Sequence, residues 1–290
     1  MASLQTPPLW AALADAESIL IAGAGGGFDI YAGLPLAIAL LDAGRRVHLA
    51  NLAFTYLELL DLDAWLARNV ARIQPDTAGP DDYFPERTLA RWLATRDLPA
   101  TVYAFPRTGV QPLRAAYQAL VEHLHVDAIV LIDGGTDILC RGDESSLATP
   151  EEDRTSLAAV AGLDVPVKLV SCLGFGIDAH SGLAHTQILE NLAALARDGA
   201  YLGALSIPST SREATLYRDA VADAHAATPS PTRTPPRRCG PASSTARSPP
   251  RWPANAATSS SPAAPRPAPC SSTRSWRCTS PLTSTPSPAP

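Results

Sequence analysis

The stretch Ser18-Ile-Leu-Ile-Ala-Gly-Ala-Gly-Gly-Gly-Phe-Asp29 decides the fold. Residues 18–24 form a short apolar run closed by glycine, too brief for a core helix, so they read as a buried strand. Gly25-Gly26-Gly27 reads as a turn. Residues 30–43 read as an apolar helix that stops at Gly44, where a residue without Cβ suits the left-handed turn after a helix. Strand, glycine turn and helix in immediate succession open a βαβ unit.

Working outward, the same alternation recurs. Further strands are expected at 46–52, 100–105, 128–133 (AIVLID), 167–173 and 200–207. Helices are expected at 112–124, 153–161, 181–197 and 211–226. Residues 55–97 read as an insertion of mixed character, with a helix near 56–72 and a loop around 75–85. Strands alternating with helices imply an α/β fold: a Rossmann-like, mostly parallel sheet with helices on both faces. There is no internal repeat.

Composition places a boundary near Thr228. Residues 229–290 contain 16 of the 28 prolines, none of the 28 acidic residues, and no Ile or Val. Such a stretch buries too little apolar surface to offset the entropy of ordering it, so it is expected to be a disordered tail. Residues 1–228 are expected to form one domain. The tail also holds eight of the 23 basic residues, which leaves 15 against 28 acidic ones in the body, a balance of −13. That acidity argues against binding a nucleic-acid backbone. Only Cys140 and Cys172 lie in the body, without paired spacing, which argues against a disulfide framework or a zinc site and fits a reducing compartment. The apolar stretch 19–41 is interrupted by Asp29, Pro35 and five glycines, so no membrane span is expected. No secretory leader is evident at the N-terminus, and a cytoplasmic protein is expected.

A single lysine beside 22 arginines points to a GC-rich gene. In such DNA an out-of-frame reading yields Pro, Ser, Arg, Ala and Thr, the residues that dominate the tail. Shifted by one base, 241–254 and 270–285 can be read as apolar, core-like strings. A frameshift near residue 228 is the expected origin of the tail, and it would truncate the domain at its C-terminal end.

In open α/β sheets ligands gather at the carboxyl ends of the strands. Gly23, Gly25, Gly26, Gly27 and Asp29 follow the first strand, and Asn51 ends the second. Asp133-Gly134-Gly135-Thr136-Asp137 follows the fourth, and Gly174, Gly176, Asp178 and His180 follow the fifth. Glycines let backbone N–H groups approach an anion, so the first loop is a candidate phosphate cradle. The dinucleotide fingerprint is incomplete, because Phe28 stands at the third glycine position and Asn51 replaces the usual acid after the second strand. There is no GxxxxGK[ST] and no G-x-S-x-G elbow, which excludes a P-loop and an α/β-hydrolase. Asp29 and Asn51 are candidate hydroxyl ligands, and Gly134, Gly135 and Thr136 candidate binding positions. Asp133 and Asp137 are candidates for Mg²⁺, with Asp137 also a candidate base and His180 a candidate proton-transfer group. Glu151, Glu152 and Asp153 follow Thr149-Pro150 and read as acids favoured by a helix N-terminus.

The strings ILIAGAGGGFDIYAGLPLAIALLDAGRRVHLANLAFT and VLIDGGTDILCRGDESSLATPEEDRTSLAAV resemble an uncharacterised prokaryotic family, domain of unknown function 1152. The resemblance spans about residues 17–226 and extends to the shifted strings of the tail. It implies a Rossmann-like fold and carries no activity and no catalytic residue. The leading functional reading is a cytosolic enzyme for a small phosphorylated or ribose-bearing ligand. The alternative is a non-catalytic module that binds a nucleotide-like metabolite, and a third reading makes the glycines simple turns of an interaction protein. The oligomeric state is not legible.

Overall fold

The computed structural model describes residues 5–146 and 149–228. The disordered-tail and frameshift expectations fall on 229–290, outside the described residues. All described residues fall in one structural unit. The elements run α1 (Pro8–Ala12), β1 (Ser18–Gly23), α2 (Asp29–Ala32), α3 (Leu34–Asp42), β2 (Arg46–Ala53), β3 (Trp65–Ala67), β4 (Val70–Ile73), α4 (Pro85–Ala94), β5 (Val102–Pro106), α5 (Val110–Leu124), β6 (Ala128–Asp133), α6 (Glu151–Ala161), β7 (Val167–Cys172), α7 (His185–Arg197) and α8 (Arg212–Ala227).

The seven strands form one sheet in the order β3-β4-β5-β2-β1-β6-β7. β5, β2, β1, β6 and β7 run parallel, and β4 pairs antiparallel with β5 and with β3. The α/β fold expected from the sequence is therefore present. Counted along the chain, the parallel strands lie in the order 3-2-1-4-5, with the direction of winding reversing between β1 and β6. That reversal leaves a crevice at their carboxyl ends, the usual ligand position in doubly wound sheets.

Both faces are covered, because successive side chains of a strand point to opposite sides. Ile19 and Ile21 of β1 pack in one core with Leu34, Ile38, Leu89, Trp92 and Ala220, from α3, α4 and α8. Leu20 and Ala22 pack in the other with Leu113, Tyr117, Leu120 and Val160, from α5 and α6. A strand buried on both faces must be apolar throughout, which is why β1 and β6 carry no alternation. α3 ends as its sequence predicts: Gly44 takes φ 78°, Gly44 N–H donates to Leu41 O and Arg45 N–H to Leu40 O. These paired bonds satisfy carbonyls that the helix end would otherwise leave unbonded.

Two expectations are corrected. Residues 56–72 form no α-helix; two short 3-10 turns (Leu57–Leu59 and Leu62–Ala64) lead into the β3–β4 hairpin, which turns through Asn69 at φ 62°. Adding a hairpin to the β5 edge buries Val70, Ala71 and Ile73, which outweighs their weak helical pattern. Residues 200–207 form no strand and pair with nothing in the sheet. Gly203 at φ 97° breaks the extended path, and Leu205 and Ile207 are exposed. Among the described residues, β7 is thus an edge of the sheet.

Candidate functional site at the β1–β6 switch point

The site grows from the register of β1. Gly23 lies opposite Asn51 of β2 and Ile132 of β6, so β1 ends between two strands that run on to Ala53 and Asp133. Ala24 N–H donates to Ile132 O at 2.8 Å, which starts the first loop against β6. Gly26 and Gly27 then turn at φ 95° and 58°, a conformation open to residues without Cβ. The loop feeds directly into α2, whose first residue is Asp29.

Asp29 joins the two signature loops. Its Oδ2 accepts the Gly25 N–H at 2.7 Å and its Oδ1 accepts the Gly134 N–H at 3.2 Å. The backbone donors expected to cradle a phosphate therefore meet an internal carboxylate. Burial pushes the Asp29 carboxyl up to about 6, against the pull of the Gly134 and Gly25 N–H groups.

Three further acids share the space. Asp133, at the end of β6, accepts the Ile138 N–H at 3.2 Å through Oδ2. Its carboxyl is pushed up to about 8 by burial, then by Asp29 and Asp137. Asp137 opens a short 3-10 turn, is buried, and accepts the Thr149 N–H at 3.0 Å. Burial raises its carboxyl, with a contribution from Asp178. Asp153, in the first turn of α6, is 3% exposed and points inward. Burial pushes it up to about 9, followed by Asp133, Asp29 and Asp137. Every charged neighbour acting on Asp133 and Asp153 is another carboxylate. One oxygen from each of Asp29, Asp133 and Asp153 lies within 4.8 Å of the other two.

Asp153 stands in the first turn of α6, as expected for an acid at a helix start, but it is buried, which that reading did not include. Its signal was in the sequence: Asp153, Ser156 and Val160 recur at helical spacing and form the buried face of α6. Ser156 Oγ donates to Ala24 O at 2.7 Å and docks that face onto the glycine loop.

The remaining positions sort around this cluster. Asn51 is fully buried behind the loop, and its Nδ2 donates to Gly27 O at 2.8 Å and to Glu86 Oε1 at 2.7 Å. Glu86, which the sequence reading missed, is also fully buried, and burial pushes its carboxyl up to about 7. Its signal was weak, since an acid after Pro85 at a helix start is ordinarily solvent-exposed. Thr136 donates its Oγ1–H to Asp178 Oδ2 at 3.0 Å, tying the loop after β6 to the one after β7. Gly135 lies against Asp178: a Cβ there would be 2.6 Å from Asp178 Oδ2. His180 follows on the same turn and is exposed. Around the mouth, Phe28 and Phe54 are each 41% exposed, and the Arg107 guanidinium lies 5.4 Å from the Phe54 ring centre.

The fold and this rim define a doubly wound α/β protein with an acid-lined crevice at its switch point. The family described as "Protein of unknown function (DUF1152)" matches residues 63–230, more than half of the chain, and the chain belongs to that family. The match includes β6, the Asp133–Asp137 loop and Asp153, and it begins after the glycine loop. No curated protein and no solved structure matches the chain. Among the described residues, no helix is long and apolar enough to cross a membrane.

Proposed function

We propose that this chain is a cytoplasmic enzyme acting on a small phosphorylated or ribose-bearing ligand at the carboxyl ends of β1 and β6. The observation that carries the reading is the bond from Gly134 N–H to Asp29, which brings the two glycine-containing loops together at the switch point. Carboxylates accept hydrogen bonds and offer none when ionised, so they suit the hydroxyls of a sugar. A phosphate enters such a rim only with a cation, and Mg²⁺ at Asp133 would supply the charge. In this reading Asp137 would act as base, and the exposed His180 would assist proton transfer. Gly23, Gly25, Gly26 and Gly27 shape one wall, with Asn51 bracing it from behind. Gly134, Gly135 and Thr136 shape the other. Phe28 and Phe54, each partly exposed beside the glycine turn, would give a planar base apolar contact, which favours a nucleoside over a bare sugar. The acidic body, at −13, disfavours a nucleic-acid partner.

Calorimetry and turnover assays with a panel of nucleotides and sugar phosphates, in the presence of Mg²⁺, test this. Saturable binding by a panel member, with turnover lowered about a hundredfold in Asp137→Ala, is the expected result. Saturable binding without turnover would replace the enzyme by a metabolite-binding module. No binding across the panel, or turnover untouched in Asp137→Ala, would remove the proposal.

A further inference from the structure

We infer that Asp29, Asp133 and Asp153 form a binding site for one hard divalent cation, Mg²⁺ or Mn²⁺, with Asp137 outside the ligand set. The three carboxylates come from separate elements: the start of α2, the end of β6 and the first turn of α6. Their oxygens lie within 4.8 Å of one another, so a point between them is at most about 2.8 Å from each. Small side-chain rotations close that to the distance of about 2.1 Å that Mg²⁺ takes from oxygen.

A second observation points to a ligand independently of the cluster. Asp153 is 3% exposed, yet its Oδ1 has no hydrogen-bond partner. Burying an acceptor without a partner is costly, and buried carboxylates are ordinarily paired or bound to metal. This carboxyl faces Asp29 across the bare Cα of Gly25. A Cβ at Gly25 would lie 2.6 Å from Asp153 Oδ2, 2.8 Å from Asp29 Oδ2 and 3.0 Å from Asp153 Oδ1. A glycine at that point leaves the two carboxyls facing one shared space. The other neighbours agree. Asp29 is oriented by the Gly25 and Gly134 N–H groups, and Asp133 by Ile138 N–H, the outer-shell bonding that fixes metal ligands. Asp137, whose Oδ2 accepts the Thr149 N–H, contributes no oxygen to the group within 4.8 Å. All three ligands are oxygen, the donor set of Mg²⁺ and Mn²⁺ rather than of zinc or copper. The cation would bridge to the phosphate of the ligand proposed above, and to that extent it rests on that reading; the ion is tested alone, so the two can fail separately.

The test is Mn²⁺ binding to the full chain, read from loss of the free-ion electron-paramagnetic-resonance signal, with Mg²⁺ as competitor and no organic ligand present. One Mn²⁺ per chain, displaced by Mg²⁺, is expected. Asp153→Asn keeps the side-chain shape and should weaken binding by about tenfold or more, while its thermal melt in chelator stays at or above that of the parent. Gly25→Ala is a second variant, since its methyl would occupy the space between Asp29 and Asp153, and it should weaken Mn²⁺ binding likewise. Asp137→Asn removes a nearby charge but no ligand oxygen, and it should weaken Mn²⁺ binding less than Asp153→Asn does. The site is overturned if no stoichiometric Mn²⁺ binds, if both Asp153→Asn and Gly25→Ala bind it as the parent does, or if Asp137→Asn alone abolishes it.

Discussion

Gly23 at the end of β1 lies directly against Asn51 on β2: a Cβ added to Gly23 would stand 2.1 Å from Asn51 Oδ1 and 2.8 Å from Ile30 N. The contact packs the strand end, the glycine loop and the start of the following helix against one another. Asn51 in turn holds Gly27 O and Glu86, so a methyl group at Gly23 would disturb the whole brace.

Gly23→Ala is therefore expected to destabilise the protein by about 1–3 kcal/mol, the range for overpacking a filled interior. Urea unfolding measures this. A midpoint equal to that of the parent protein would show that Asn51 yields freely.

Glu86 gives the stability a pH dependence of defined sign. Its carboxyl titrates near 7 in the folded protein against an ordinary 4.5, with burial as the main cause. The folded state therefore holds a proton that the unfolded state has released, and stability falls as pH rises from about 4.5 to about 7. Glu86→Gln keeps an acceptor for Asn51 and removes the titration. Its advantage over the parent should be small at pH 4.5 and reach about 3 kcal/mol above pH 7, since each tenfold change in proton affinity is worth roughly 1.4 kcal/mol. Denaturant melts of both proteins across that window check it, and parallel curves would refute it.

The aromatic mouth separates classes of ligand. Phe28→Ala should weaken a base-bearing ligand by about 1–3 kcal/mol, the scale of one base stacked on one ring. A sugar phosphate without a base should bind Phe28→Ala and the parent within about twofold of each other. Equal losses for the two ligands would mean that Phe28 supports the loop rather than the ligand.

α8 depends on one visible cap. Ser211 Oγ accepts the Ala214 N–H at 3.2 Å, and the helix packs through Ala220 and Ala224 into the core that covers β1. Ser211→Ala should cost about 1 kcal/mol, seen as a lower urea midpoint with an unchanged slope. A loss of slope would instead indicate that α8 detaches before the sheet unfolds.

Much of this was legible along the chain. β1 and β6 could be placed because strands buried on both faces show as apolar runs, and the glycine turn with its following helix could be placed because Gly44 marks the stop. The rest depended on contacts between distant residues. The helical reading of 56–72 failed because Ala71, Arg72 and Ile73 pair with β5, a partner that local spacing does not reveal. The strand reading of 200–207 failed because apolar composition does not report Gly203 at φ 97°. The burial of Asp153 went unforeseen because it is set by the face of α6 that meets the glycine loop, and Glu86 went unnoticed because its partner, Asn51, lies 35 residues away.

By itself the sequence determined the element types: an α/β chain in which glycine and short acidic loops follow apolar strands. Those features are local, since a strand's burial and a turn's backbone angles are written in neighbouring residues. Only the tertiary structure decided that β1 and β6 lie side by side, so that Asp29, Asp133 and Asp153 share one small volume. Strand order is a property of the assembled sheet, and the electrostatics of the crevice follow from that order, because carboxylates influence one another across a few ångströms of space, whatever their separation along the chain.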